Sequence, residues 1–252
     1  MSIEGKVALV TGGSGALGRL HGLTLAAKGC NVALTGSSNL EKAEAVAEEV
    51  QALGRKAMGV KMDVSNLEEV REGVKKVEEQ LGPIDILVNN AAFGIVRATT
   101  IVNMNKEDWD RDLSVNLTGA FNTVKCCFPA MAERGWGRII NVSSITGTMG
   151  GFGQCSYAAT KAGLIGLTKT IALEGARSDV TCNAVVLGVF DAGSFYEVAE
   201  PFRERIIKRV ALRRSGDPQE LSNVVAFLAS EESSYVTGEA IEVSGGASLF
   251  TF

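Results

Sequence analysis

A tyrosine and a lysine lie four residues apart in the stretch SYAATKAG, residues 156–163. Side chains at positions i and i+4 share one face of a helix, so Tyr157 and Lys161 are expected to be close together. A free phenol has a pKa of about 10, and proton transfer near neutrality needs about 4 kcal/mol of phenolate stabilisation. A cation about 5 Å away supplies roughly 3 kcal/mol at an effective dielectric constant of about 20. The pair therefore predicts a tyrosine acid/base whose pKa is lowered by the lysine.

Two polar residues upstream are candidates for the same site. Ser144 ends a segment rich in Ile and Val, where the carboxyl end of a strand would bring its hydroxyl to Tyr157, whereas Ser143 is expected to bond the backbone. Asn116 lies inside the helical pattern of residues 105–134, and asparagine there can mark a local distortion because it is a poor helix former. A plain buried amide is the alternative interpretation of Asn116.

A glycine-rich turn, TGGSGALG at 11–18, lies between an apolar strand pattern and a helical one. Glycines allow a tight turn and let backbone N–H groups approach a pyrophosphate, whose charge the N-terminus of the next helix favours. A tight connection without a ligand is the alternative. The strand–turn–helix context favours dinucleotide binding.

Short apolar segments rich in Val and Ile alternate with segments of helical length. The predicted strands are 6–11, 31–36, 57–62, 84–90, 137–143, 180–186 and 240–244. Two SNLE segments, 38–41 and 65–68, are typical of capping boxes and predict helix starts after the second and third strands. Helical connections imply a parallel sheet. We predict one α/β domain over 1–252, a doubly wound Rossmann-type sheet of about seven strands with helices on both faces.

Composition and charge argue against several classes of partner. A net charge of −4, from 25 basic and 29 acidic residues, gives no positive field for nucleic acid or anionic lipid. No apolar segment approaches the roughly 18 residues of a membrane span, and no secretory signal pattern is present. Five cysteines without a C-x-x-C pair, with the single histidine His21, give no metal-ligand cluster. We expect a cytoplasmic protein with no metal, nucleic-acid or membrane partner, and a surface or helix-packing role for His21.

Several motifs in order resemble the short-chain dehydrogenase/reductase family over nearly the whole chain. The matching segments are TGGSGALG (cofactor turn), DV at 63–64 (adenine contact), NNAA at 89–92 (strand end), VNLTG at 115–119, SS at 143–144, YAATK at 157–161 and SYVTGEAIEVSGG at 234–246 (C-terminal strand). The resemblance implies reversible hydride transfer between a nicotinamide dinucleotide and a carbonyl or secondary alcohol.

The resemblance also implies a role for each candidate catalytic residue. Tyr157 would donate the proton and Ser144 would orient the substrate oxygen. Lys161 would tune the tyrosine and hold the nicotinamide ribose, and Asn116 would fix a water that links the lysine to solvent. The implied cofactor-binding residues are Gly12, Ser14, Gly15, Leu17, Gly18, Ser37, Ser38, Asp63, Val64, Asn90, Tyr157, Lys161 and Gly188.

The residues after the second strand bear on the choice of cofactor. NAD-specific sites place Asp or Glu there to hold the ribose 2′-hydroxyl, and that charge repels a 2′-phosphate. The segment LTGSSN at 34–39 has no carboxylate, and Ser37 and Ser38 offer hydroxyl donors. This favours NADP(H) over NAD(H). Because Ser38 is also explained as a helix cap, NAD(H) stays open as the alternative.

The nearest subfamily resemblance is to 3-oxoacyl-carrier-protein reductases, in segments 147–169 and 215–238. The chain departs from the family pattern at Ala16, Ala92, Leu187 and Ala192, and Gly135 and Ser178 stand where carrier-docking arginines are expected. The substrate is therefore expected to be an acyl thioester or a small free ketone or alcohol. The segment 188–208, with Phe190, Phe195 and Tyr196, is predicted to form a substrate lid.

Two further expectations concern assembly and an alternative function. Family members commonly form tetramers, and the helices of 105–134 and from about 154 are apolar enough to be covered on two faces, which predicts a homotetramer. A non-catalytic dinucleotide-binding sensor of the same fold is the competing hypothesis. The complete set of Asn, Ser, Tyr and Lys favours an enzyme.

Overall fold

The computed structural model describes residues 3–94 and 98–249. Within them a sheet of seven parallel strands has the order β3-β2-β1-β4-β5-β6-β7. The strands are β1 (Val7–Val10), β2 (Asn31–Gly36), β3 (Ala57–Lys61), β4 (Ile86–Asn89), β5 (Gly137–Ser144), β6 (Val180–Leu187) and β7 (Ala240–Val243). Each of these strands overlaps one predicted from the sequence, so the prediction of a doubly wound parallel sheet is confirmed.

Helices cover both faces of the sheet. They are α1 (Ala16–Ala27), α2 (Leu40–Ala52), α3 (Leu67–Leu81), α4 (Lys106–Leu113), α5 (Gly119–Arg134), α6 (Ile145–Met149), α7 (Cys155–Gly175), α8 (Glu200–Ile207) and α9 (Pro218–Leu228). One apolar core contains side chains of α1, α2 and α9, and the other contains side chains of α3, α5 and α7. Burial on both faces explains the nearly continuous apolar sequence of the inner strands. None of the helices formed by the described residues has the length and apolarity to span a membrane.

The order of the strands reverses between β1 and β4. The strand β1 pairs with β2 on one side and with β4 on the other, and the chain then continues outward through β5. Ligands of doubly wound sheets bind outside the carboxyl ends of the strands at such a reversal. The glycine-rich turn follows β1, and Asn90 follows β4, so both lie at this point.

The predicted capping boxes are displaced by one residue. The α2 cap is Asn39, whose side chain accepts from Lys42 N, and the α3 cap is Asn66, whose side chain accepts from the N–H groups of Glu68 and Glu69. Asparagine is as good an N-cap as serine, so the S-x-x-E spacing assigned the cap one residue too early. The helix starts were predicted correctly, but the assignment of Ser38 as a helix cap is wrong.

The long helical pattern of residues 105–134 is interrupted at Asn116. A π-helical turn, Ser114–Thr118, separates α4 from α5. A π-helical turn re-aims the side chains that follow it, and such turns occur frequently at functional sites. The local distortion expected at Asn116 is therefore confirmed.

The single histidine lies between two helices. His21 is fully buried on α1, and its Nδ1 lies 2.8 Å from Ser222 Oγ of α9. Burial lowers the pKa of His21 to about 4, because the imidazolium would lose its hydration. The helix-packing role expected from the sequence is the one observed.

Candidate active site

A cleft of about 640 Å³ opens at the carboxyl ends of the strands, at the reversal of strand order. Almost all of the residues that the sequence proposed for the cofactor line it: Gly12, Ser14, Gly15, Leu17, Gly18, Ser37, Asp63, Val64, Asn90, Tyr157, Lys161 and Gly188. Ser38 is exposed beside the cleft and is not among the residues that line it. The neighbouring Ser37 is the serine that faces this space.

The glycine turn and the end of β4 are held together by hydrogen bonds. Asn90 Nδ2 donates to the carbonyl oxygens of Thr11, at 2.9 Å, and Gly12, at 3.3 Å. Thr11 Oγ1 accepts from the N–H of Asn90 at 3.0 Å. A Cβ atom at Gly18 would collide with the Gly12 carbonyl oxygen, so α1 approaches the turn as closely as it does because residue 18 is glycine.

The N-terminus of α1 points its unpaired donors at this cleft. Its N-cap, Gly15, offers no side chain to the first N–H groups, and no acidic residue lies in the first turn. Free N–H groups and the positive end of the helix dipole favour an anion. The residues present therefore fit the pyrophosphate of a dinucleotide, which when bound would supply the hydride chemistry.

Two of the four predicted catalytic residues, Tyr157 and Lys161, line the cleft, and Ser144 lies next to Tyr157 without lining it. Tyr157 and Lys161 lie on the first two turns of α7 and are 4% and 2% exposed, with Lys161 Nζ 5.5 Å from the centre of the tyrosine ring. Ser144, the last residue of β5, lies beside the Tyr157 side chain, where its hydroxyl favours the phenolate. Ser143 donates to the Lys161 carbonyl oxygen at 2.7 Å, the backbone role that the sequence predicted.

Burial controls the proton affinities of this group. Lys161 Nζ donates to the Val142 carbonyl oxygen at 2.7 Å, and burial lowers the pKa of Lys161 to about 8. Burial raises the pKa of Tyr157 to about 12, and the hydrogen bond from Ser144 opposes part of that rise. The lowered tyrosine pKa expected from the sequence is therefore wrong for the protein chain by itself, because desolvation of the phenolate has the largest effect.

The fourth residue, Asn116, contacts the loop after β4. Its Oδ1 accepts from Phe93 N at 2.7 Å, and its Nδ2 donates to Phe93 O at 3.0 Å and to Thr160 Oγ1 at 3.4 Å. The side chain thus joins this loop to α7, one residue before Lys161. Its proposed water-mediated link to the lysine stays a prediction.

Sequence reasoning missed several residues of the cleft. Thr35, Met62, Ser65, Phe93, Arg111, Ser114 and Val115 also line it. The Arg111 guanidinium lies 4.0 Å from the centre of the Phe93 ring, which places a cation at the cleft wall. These residues carry no motif of their own, and the π-helical turn that orients Ser114 and Val115 is not visible in a periodicity of 3.6 residues.

The segment after β6 forms a wall of the cleft. Phe190, Phe195 and Val198 line it, the last two in or just after a short 3₁₀ turn that precedes α8. Tyr196 is exposed and donates to the Asp191 carbonyl oxygen, so it does not shape the pocket as the sequence suggested. Leu187, one of the positions at which the chain departs from the family pattern, also lines the cleft.

Comparison with known proteins agrees with this geometry. The model of a protein family described as enoyl-(acyl carrier protein) reductase matches residues 15–248. A 3-oxoacyl-[acyl-carrier-protein] reductase FabG of Staphylococcus epidermidis is 41% identical over 96% of this chain and 98% of its own length. Nodulation protein G of Azospirillum brasilense is 44% identical over 96% of this chain and 97% of its own length. The chain belongs to the short-chain dehydrogenase/reductase family.

Solved structures give the same assignment for this short-chain dehydrogenase/reductase. A protein described as a short-chain alcohol dehydrogenase of Sinorhizobium meliloti has a TM-score of 0.93 at 32% identity, with 99% of each chain covered. A protein described as a gluconate dehydrogenase of Agrobacterium tumefaciens has a TM-score of 0.95 at 30% identity, covering 99% of this chain and 98% of its own. The protein is an NAD(P)-dependent oxidoreductase that acts on CH–OH or C=O groups.

Replacing Lys161 by Met is expected to stabilise the fold near pH 7 by on the order of 1 kcal/mol, because burying the ammonium costs more than its hydrogen bond returns. The pKa of Lys161 is about 8 when folded, below the value of about 10.4 expected when unfolded. Wild type therefore gains stability as the pH rises through this window and loses it as the pH falls. The advantage of Lys161→Met should be largest near pH 7 and smaller near pH 10, which urea denaturation measures. An advantage equal at both pH values would contradict the lowered pKa.

Proposed function

We propose that this short-chain dehydrogenase/reductase transfers hydride between NADP(H) and the carbonyl or hydroxyl group of a 3-oxoacyl thioester or a related ketone. The observation that carries the proposal is the buried pair of Tyr157 and Lys161 in the wall of the cleft, with the buried Ser144 beside the tyrosine. A FabG reductase matches nearly the full chain at 41% identity, which supports the thioester. A coenzyme A thioester, a carrier-bound thioester and a free ketone remain candidates for the same chemistry.

Proton transfer in this proposal passes through the tyrosine. The substrate oxygen takes hydrogen bonds from Ser144 and Tyr157, and the phenol gives up its proton as negative charge develops on that oxygen. The bound nicotinamide supplies the hydride. Lys161 stabilises the resulting phenolate, since a cation about 5 Å away is worth roughly 3 kcal/mol at an effective dielectric constant of about 20. Asn116 supports the return of a proton to the lysine from solvent.

The substrate side of the cleft is apolar. Phe190, Phe195 and Val198 line it. An acyl chain would cover this apolar surface, with a gain of about 25 cal/mol for each Å² removed from water. The segment 188–208 is proposed as the lid that closes over it.

The preference for NADP(H) rests on the charge around Ser37. Asp63 is the only carboxylate among the described residues that line the cleft, and Ser65 already donates two hydrogen bonds to one of its oxygens. Without a carboxylate at Ser37, a 2′-phosphate meets little repulsion there, and the N-terminus of α2 follows three residues later. An NAD(H)-dependent alcohol dehydrogenase is the alternative within the same family.

The proposed assembly is a homotetramer in the cytoplasm. Two exposed apolar side chains, Phe121 on α5 and Leu173 on α7, lie on helix faces that the sheet does not cover. A second subunit would bury these faces. The five cysteines are free thiols, which suits a reducing compartment.

Changing Tyr157 to Phe is expected to lower kcat at least about 100-fold while NADPH affinity changes little, because only the proton donor is deleted. The assay is NADPH oxidation with a panel of ketones and 3-oxoacyl thioesters, and Tyr235→Phe at a fully exposed tyrosine is the matched control. Near wild-type kcat in Tyr157→Phe would refute the mechanism. Tight NADPH binding by wild type without turnover of any substrate would favour the non-catalytic sensor.

Installing Asp at Ser37 is expected to weaken NADPH binding far more than NADH binding, by a factor that decreases as salt screens the added charge. Ser38→Asp is the matched control, because Ser38 is also exposed but does not line the cleft. Fluorescence titration of both cofactors measures the four affinities. The NADP(H) assignment fails when wild type binds NADH more tightly, or when Ser37→Asp weakens both cofactors equally.

Light scattering at micromolar concentration is expected to give a mass four times the 26.5 kDa of one chain. Phe121→Glu should reduce that mass, since it places a charge on the uncovered face of α5. A wild-type mass equal to one chain would rule out the tetramer.

A further inference from the structure

Two hydrogen bonds join α7 to the α4 region, one helical turn apart. Ser156 Oγ donates to Asp112 Oδ2 at 2.5 Å, and Asn116 Nδ2 donates to Thr160 Oγ1 at 3.4 Å. Ser156 directly precedes the proposed acid/base tyrosine, and Thr160 directly precedes the proposed catalytic lysine. The residue before each proposed reactive side chain is therefore hydrogen-bonded to another element: Ser156 to α4, and Thr160 to the π-helical turn.

The first of these bonds involves a buried carboxyl group that the proposed mechanism does not use. Asp112 and Ser156 are each 1% exposed, and neither lines the cleft. Burying a carboxylate is costly unless hydrogen bonds compensate for its lost hydration. The other oxygen of Asp112 lies against Gly94, where a Cβ atom would come within 2.5 Å of it. One side chain thus contacts both the loop after β4 and the start of α7.

The start of α7 needs such a contact. Its N-cap, Gln154, makes no side-chain capping bond, and its first turn contains no acidic residue. The first N–H groups of a helix lack partners within the helix, and the positive end of the dipole favours a negative charge. Asp112 of α4 accepts from the Ser156 hydroxyl and thereby places a negatively ionisable group beside this turn. Tyr157 lies in this first turn, so any fraying of the turn would move its hydroxyl.

We propose that Asp112 and Ser156 form a positioning pair that holds the first turn of α7 and thereby keeps the Tyr157 hydroxyl against Ser144. Neither residue touches the cleft, so the pair acts on turnover and leaves cofactor binding unchanged. The kinetic part of this inference rests on the proposed function. The geometric part does not, because the contact between Tyr157 and Ser144 can be observed without turnover.

The kinetic test compares Ser156→Ala, which deletes the donor, with Ser156→Thr, which keeps a hydroxyl. Ser156→Ala is expected to lower kcat at least tenfold while KM and the Kd for NADPH change less than threefold, and Ser156→Thr is expected to regain most of the lost kcat. Thr170→Ala removes an exposed hydroxyl from the same helix and should leave kcat unchanged. A lower unfolding midpoint with unaltered kcat in Ser156→Ala would mean a merely structural role and would overturn the inference.

A double-mutant cycle tests whether the two residues act as one unit. Asp112→Leu deletes the acceptor and keeps the branched, four-heavy-atom shape of the side chain, and Asp110→Asn is the control at an exposed position of α4. If the hydrogen bond is the common cause, the double variant loses no more kcat than the more impaired single variant. Losses that multiply would show independent roles and contradict the pair.

Crystal structures of wild type and Ser156→Ala provide the arm that does not depend on activity. The expected result is that the Tyr157 hydroxyl lies farther from Ser144 Oγ in the variant than in wild type. An unchanged contact would refute the positioning role. When wild type turns over no carbonyl substrate, the proposed function fails, and this structural comparison alone decides the inference.

Discussion

A buried lysine is the constraint on which the arrangement of the cleft depends. Lys161 is almost fully enclosed, and its ammonium reaches only the Val142 carbonyl oxygen at the end of β5 among the hydrogen bonds of the described residues. Burial lowers the pKa of this ammonium group, and the charged form is stable there only with fixed polar partners. The strand end therefore has to lie under the second turn of α7, which also brings Ser144 to Tyr157.

A second buried network keeps the sheet and the helices in register behind this group. Asn89 at the end of β4 donates to Asn141 of β5 at 2.9 Å and accepts from Thr123 of α5 at 2.6 Å, while Asn141 donates to Thr168 of α7 at 2.8 Å. Buried amides are stable when both ends are paired, and they tolerate few alternative arrangements. The network thereby fixes α5 and α7 relative to the strands that carry the cleft.

The pKa values of Tyr157 and Lys161 indicate that proton transfer near neutrality needs more than the protein chain provides by itself. Burial pushes the tyrosine and lysine pKa values in the directions that disfavour charge on both residues, to about 12 and about 8. Lowering the tyrosine pKa towards neutrality requires the lysine to be charged and the phenolate to be hydrogen-bonded, which Ser144 already provides in part. The glycine turn and the uncapped end of α1 fit the pyrophosphate of a dinucleotide in the adjacent part of the same cleft.

The strands, the parallel topology, the glycine turn and the set of Ser144, Tyr157 and Lys161 could be predicted from the sequence, because alternating apolar segments and short motifs report local structure and residue chemistry directly. The caps at Asn39 and Asn66 were missed by one residue, since serine and asparagine side chains satisfy the same N–H groups. The Arg111–Phe93 contact and the Asp112–Ser156 pair, whose residues are 44 positions apart, join different elements of the fold, and no periodicity reports such contacts. The sequence by itself determined the fold class and predicted the candidate reactive groups. Only the tertiary structure decided the pKa values of these groups and the hydrogen bonds that hold the elements around them, because burial and long-range hydrogen bonds exist only after the chain has packed.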